Sequence, residues 1–267
     1  MKIAAKVPLA VLLALGAAGG VPAGCASAKE DPNADSVKIV KKTVEITGTG
    51  NDYLGADISY PEFVMPNEAA RKRLEASAGL KAGTGMSLEE CKAEVADGTW
   101  LREIDYTVDY NRNDIVSLTY TVSGMGAHPS ESEHRLSVRI STGRPLSVKE
   151  TFRPEGRETL AMFVDQRLQK AIKAKIGELE PDSRAELREM LDDRKVGKPV
   201  FKIANLNGFE VVDDGVAFFY EFGFPFAHLA LEPDESFILS FQELWTFLEK
   251  KGPLGFAAEP GERFQLN

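Results

Sequence analysis

The chain of 267 residues has only two cysteines, Cys25 and Cys91, and three histidines, His128, His134 and His228. Two cysteines supply neither a disulfide scaffold nor a four-ligand structural zinc site. So few histidines leave most metal and triad chemistries short of parts. Positive charge is also scarce, with 32 Lys and Arg against 41 Asp and Glu, a net charge of −9 and a pI near 5.1. That is the wrong sign for neutralising a phosphate backbone, so nucleic acid is not an expected partner. Gly-x-Ser-x-Gly and His-Glu-x-x-His are absent, and Gly48-Thr49-Gly50 and Gly83-Thr84-Gly85 lack the lysine of a phosphate loop. No cofactor and no metal is expected. What the chain does have is 43% apolar residues, enough for a real core and too many for bulk disorder.

Residues 1–24 carry two lysines and no acid, and run through Val7 to Leu15 into the small residues Gly16 to Gly20. This is the plan of a secretory signal, too short and too glycine-rich for a stable transmembrane span. Val21-Pro22-Ala23-Gly24-Cys25 then resembles a bacterial lipobox, with Pro22 at a position where an aliphatic residue is usual. The expectation is lipidation at Cys25 and a protein held on the periplasmic or extracellular side of a membrane. Cleavage at Ala28 instead would discard Cys25 and leave a soluble periplasmic protein. Removing residues 1–24 takes the net charge from −9 to −11. The expected organisation is a signal peptide over 1–24, a lipidated cysteine and flexible tether over 25–36, a β-rich subdomain with a helical insertion over 37–145, an α+β subdomain over 146–250, and an irregular tail over 251–267.

Alternation of apolar and polar residues predicts strands over Val37–Ile46 and Tyr53–Tyr60, the second closed by Pro61. Helical spacing follows over Asn67–Ala78 and Ser87–Ala96, with Ser87 and Glu90 as a capping box and Gly79–Gly85 as a loop between them. Cys91 on the second helix reads as a small buried residue. Three strands are expected at Trp100–Tyr110, Ile115–Ser123 and His134–Ile140, the first two joined by Asn111-Arg112-Asn113-Asp114. An amphipathic helix over Arg157–Ile176 carries Leu160, Phe163, Val164, Leu168, Ile172 and Ile176 at spacings of three and four. A charged helix over Pro181–Asp193 is placed at the periphery. Strands over Phe201–Leu206, Gly208–Val212, Val216–Phe222 and Phe237–Phe241 and a short helix over Gln242–Lys250 complete the chain. The fold class is therefore α+β, with an antiparallel sheet packed by one long amphipathic helix and shorter helices.

Two groups of side chains stand out. His128-Pro129-Ser130-Glu131-Ser132-Glu133-His134 puts two histidines and two carboxylates within seven residues, a set that a folded loop would gather. No second motif completes a metal site, and His128 is expected as a turn residue with its ring bonded to backbone beneath the sheet. Phe218, Phe219, Tyr220, Phe222, Phe224 and Phe226 are more rings than one buried face uses. Most are expected in the core, with Phe224 and Phe226 as candidate exposed anchors.

The segment Ser141-Thr142-Gly143-Arg144-Pro145-Leu146-Ser147-Val148-Lys149-Glu150-Thr151-Phe152 resembles one in a family of bacterial extracytoplasmic domains. That family includes the RsiV-type anti-sigma factor and the non-catalytic region of a PdaC-type peptidoglycan deacetylase. The turn Gly126-Ala127-His128, the hairpin Phe209 to Tyr220, and the stretch from Phe226-Ala227-His228 to Leu244 are similar to further motifs of the same family. The resemblance spans residues 37–250. His228 and Glu232 stand where the family tends to have proline and glycine, and neither the sigma-binding segment nor the deacetylase domain is present. The resemblance implies a fold, a setting in the cell envelope and, in some members, lysozyme recognition.

These observations lead to a non-enzymatic, membrane-tethered domain that binds a protein, lysozyme among the candidates, or peptidoglycan, through a loop carrying Phe224, Phe226 and His228. The competing readings are an envelope hydrolase using the cluster from His128 to His134 and a purely structural envelope lipoprotein.

Overall fold

The computed structural model describes residues 36–48, 55–98, 100–126, 128–192 and 198–258. The expected signal peptide, Cys25 and nearly all of the expected tether, Ala127, the expected turn around Asn51 and the last residues of the expected tail lie outside them. The architecture is α+β. One sheet has five strands in the order β1 (Lys38–Ile46), β2 (Ala56–Val64), β3 (Leu101–Arg112), β4 (Ile115–Met125) and β5 (Pro129–Arg139). A second has three: β6 (Phe209–Val212), β7 (Gly215–Phe219) and β8 (Ser236–Ser240). Every pairing is antiparallel except β2 with β3, which meet in parallel at Asp57 and Ile58. A parallel pair needs a long crossover, and three helices supply it: α1 (Glu68–Ala78), α2 (Leu80–Thr84) and α3 (Leu88–Ala96).

Local chemistry explains many of the boundaries. Asn67 accepts the Ala70 amide at the start of α1, and Ser87 and Glu90 form the expected capping box. In that box Glu90 sits well below the usual carboxylate range, at about 2, because the Ser87 hydroxyl and amide and the Lys81 ammonium all favour its charged form. The β3–β4 hairpin turns at Asn113 and Asp114, both with positive φ, as a two-residue turn matched to strand twist requires. β3 consequently runs to Arg112, two residues beyond expectation, while β4 begins at Ile115 as expected.

Where the expected elements fail, tertiary contacts give the reason. Gly79–Gly85 is not a loop: Gly79 and Gly85 bound the short helix α2, and Gly83 faces the ring of Tyr120. Pro61 does not close β2, which continues to Val64. Pairing of β2 with β3 stops at Ile58, so nothing on that edge needs the missing proline N–H. Phe201–Leu206 is not a strand. The Phe201 amide donates to Asp165, and a 3-10 turn covers Ile203–Asn207. β7 ends at Phe219 rather than Phe222. The last helix, α7 (Phe241–Leu244), stops early because residues 247–249 are drawn into backbone bonds with Thr151 and Arg153.

The long helix α5 (Arg157–Glu178) buries Leu160, Val164, Leu168 and Ile172 of the stripe that the spacing predicts, together with Ala161, while Phe163 and Ile176 are partly buried at its edge. It shares a core with Phe152, Phe201, Val216, Phe218, Leu239 and Leu244. A second core joins α1–α3 to the large sheet through Leu74, Cys91, Ile104, Leu118 and Tyr120. Cys91 is fully buried, and burial raises its thiol pKa, as expected of a structural cysteine. The charged helix α6 (Pro181–Asp192) contributes buried Leu187.

The segment Ser141 to Phe152 has a structural explanation. Asp114 accepts the Ser141 amide and hydroxyl, each at 2.7 Å, and Ser147 caps the short helix α4 (Val148–Thr151). Gly143 has φ +67°, and a Cβ there would lie 2.7 Å from backbone of Arg73 on α1. Gly143→Ala is therefore expected to destabilise the fold by about 1–3 kcal/mol, read as a lower urea midpoint with an unchanged slope.

Candidate functional site

The tip of the β4–β5 hairpin is built on close backbone contact. The Trp100 indole lies so near Gly124 that any Cβ would collide with the ring, and the Met125 amide donates to the Trp100 carbonyl at 2.6 Å. The Gly126 amide donates to the His128 carbonyl and closes the turn. Met125 is left 49% exposed. His128 is also exposed, contrary to the expectation that its ring lies beneath the sheet.

Its ring stacks instead on Phe226, with centroids 5.4 Å apart and planes 16° from parallel. Phe226 opens a 3-10 helix, Phe226–Leu231, in the long connection from β7 to β8. The connection is held at both sides. The Tyr220 amide donates to the Glu235 carbonyl, and His228 Nδ1 lies 3.0 Å from a carboxylate oxygen of Glu186 on α6. Phe226 is 62% exposed and Leu229 47%. Glu235 is pushed up to about 7 by burial and by the neighbouring Glu232 and Glu221.

The aromatic run divides within this connection. Phe218 and Phe222 are buried, and Phe224 packs on Phe222 at 5.6 Å and against the core, so Phe224 is not the exposed anchor that the sequence suggested. Gly223, at φ +68°, supplies the turn between them. Phe226 and Leu229 carry the exposed apolar surface, and the turn Gly126–His128 joins Phe226 across most of a hundred residues of sequence.

The segment from His128 to His134 does not form a gathered loop. β5 begins at Pro129, so its side chains alternate between faces: Glu133 pairs with Arg135, while the His134 ring lies 3.4 Å from the Ser132 hydroxyl. Nor does His134 begin the strand; it stands mid-strand, opposite Tyr120. Among the described residues no group of three or more His, Cys, Asp or Glu side chains is arranged to hold a metal ion. No helix among them is long and apolar enough to cross a membrane. The roles of Trp100 and Met125 were hidden in sequence, because a tryptophan beside a strand gives no sign that a distant glycine will accept its ring.

No protein-family model and no curated protein matches the chain. Its fold is similar to solved structures of the DUF3298 family, a family of domains of unknown function. A member from Bacteroides fragilis aligns with a TM-score of 0.53 at 15% identity, covering 85% of this chain and 99% of that one. A member from Pseudomonas aeruginosa aligns with a TM-score of 0.52 at 12% identity, covering 81% of this chain and 96% of that one. At these identities the likeness is one of fold.

Proposed function

We propose that the chain is a non-enzymatic cell-envelope binding module, exported and anchored by lipid at Cys25, that engages a protein through the surface formed by Met125, His128, Phe226 and Leu229. The observation that carries this reading is the stack of His128 on Phe226. It joins a hairpin tip to a distant loop and leaves one face of a large ring in water, where an aromatic anchor contributes most to a small interface. The net charge of −11 after removal of residues 1–24 favours a basic partner, and the resemblance to the lysozyme-binding anti-sigma domain supports lysozyme as the first to test.

Calorimetry of the purified domain against lysozyme and against an unrelated basic protein of similar charge separates recognition from bulk attraction. Specific recognition predicts that lysozyme binds more tightly, that salt weakens the association, and that Phe226→Ala reduces affinity by about tenfold or more while leaving stability near wild type. Equal binding of both proteins, or no effect of Phe226→Ala, would sink the proposed surface. The anchor has its own test: intact mass of protein extracted from the native membrane is expected to show a diacylglyceryl adduct on Cys25. A product beginning at Lys29 would show cleavage after Ala28 instead.

A further inference from the structure

The two sheets meet through a buried polar contact that neither core explains. Glu210 on β6 is 3% exposed, and its carboxyl accepts from the Thr119 hydroxyl on β4 at 3.1 Å. It also lies within hydrogen-bonding reach of the carboxyl of Asp109 on β3. Asp109 is delivered there by a β-bulge: the pairing of β3 with β4 shifts register between Val108 and Tyr110 and leaves Asp109 without a cross-strand partner. One Asp109 oxygen accepts from the Thr107 hydroxyl at 3.0 Å, whereas its buried Oδ2 has no donor among the described residues. Two carboxylates in this position would repel each other and leave that oxygen unsatisfied.

We propose that Glu210 keeps its proton and donates it to Asp109, a contact that latches the small sheet onto the large one, and that loss of this proton in alkaline solution loosens the β6–β7 hairpin and the loop that follows it. The proton turns a repulsive pair into an O–H donor on one carboxyl and an acceptor on the other. The charges facing Glu210 can be named for each strand around it. β3 presents Asp109 and β5 presents Arg135, while β4 and β7 turn the uncharged Thr119 and Ala217 toward it. Arg135 is already engaged, by Glu133 and by the ring of Phe219, over which its guanidinium sits at 4.0 Å. Phe219 ends β7, so a guanidinium drawn toward a newly charged Glu210 leaves the strand end from which the Phe226 loop starts.

Burial and the adjacent Asp109 push the Glu210 carboxyl up to about 8, with the Thr119 hydrogen bond and Arg135 opposing. In the unfolded chain it titrates in the ordinary range near 4.5. Between these values Glu210 holds a proton in the folded state that it lacks in the unfolded state, so its contribution to stability is fully present below the ordinary carboxyl range and is lost as pH rises to about 8.

The test is independent of any partner. The melting temperature of the wild type is expected to fall by several degrees between about pH 5 and about pH 8.5. Glu210→Gln, a neutral isostere of the protonated acid, should lose the part of this fall that Glu210 carries and keep the part that comes from Glu235, which is raised to about 7. Protection of the Val211 amide, which donates to the Ser137 hydroxyl across the two sheets, should drop over the same range in the wild type after correction for intrinsic exchange. Carbon-13 NMR of the Glu210 carboxyl in the wild type decides the matter even if the variant fails to fold. A midpoint above 7 is expected, and Asp109→Asn should lower it by about one unit or more. A Glu210 midpoint in the ordinary carboxyl range, or the same pH profile for wild type and Glu210→Gln, would overturn the latch.

Discussion

Phe218→Ala is expected to destabilise the folded region by about 3–5 kcal/mol, measured as a lower urea midpoint. Phe218 is fully buried next to the last residue of β7, where its ring meets Phe152 at 5.9 Å and, edge-on, Phe201 at 6.2 Å. Those partners come from separate parts of the chain. Phe152 lies beside a backbone bridge to Leu248, and Phe201 is fixed through the bond of its amide to Asp165 on α5. Neither can follow a shrinking side chain inward without breaking a backbone hydrogen bond, so the cavity stays open and the cost falls at the upper end of the range. A loss below about 1 kcal/mol would mean that the β6–β8 sheet collapses around the gap. Ile238 on the neighbouring strand provides the contrast. It is about half exposed, so Ile238→Ala should cost far less.

Gly83→Ala is expected to destabilise the protein although alanine is the better helix former. Helix propensity favours alanine over glycine by about 1 kcal/mol. Against this, the new Cβ would stand 2.2 Å from a ring carbon of Tyr120, far inside van der Waals contact. Tyr120 cannot swing away, because it is fully buried and its hydroxyl donates to the Ala78 carbonyl at 2.8 Å. Burial also raises the phenol pKa, so the hydroxyl keeps the proton that it donates. The expected net loss is about 2 kcal/mol, overpacking exceeding propensity. A double-mutant cycle supplies the check. Combined with Tyr120→Leu, the alanine should cost much less than it does alone. Additive losses would show that the contact between Gly83 and Tyr120 is not what excludes alanine.

Glycine and aromatic residues mark the limit of what composition conveys. Gly79, Gly83 and Gly85 within seven residues look like a loop, and by local chemistry that reading is sound. The ring of Tyr120, more than thirty residues away, makes the middle glycine a packing residue and lets a turn of helix form around it. Phe224 and Phe226 are two apart in the same loop and indistinguishable in sequence. Packing of Phe224 on Phe222 sends it to the core, and Phe226 is left for the His128 ring.

Features set by neighbours within a turn or two were determined by sequence alone. They include the capping box of Ser87 and Glu90, a hairpin connection between β3 and β4, most of the buried stripe of α5, the tight turn at Asp213-Asp214 between β6 and β7, and the acidic balance of charge. Each depends on backbone dihedrals, side-chain periodicity or summed charge, which are local or additive quantities. Tertiary structure alone decided where β5 begins, why α7 ends after one turn, that His128 meets Phe226, and that a bulge carries Asp109 to Glu210. These depend on which surfaces are brought together when two sheets and a long helix exclude water, and that choice minimises the free energy of the whole chain rather than of any segment.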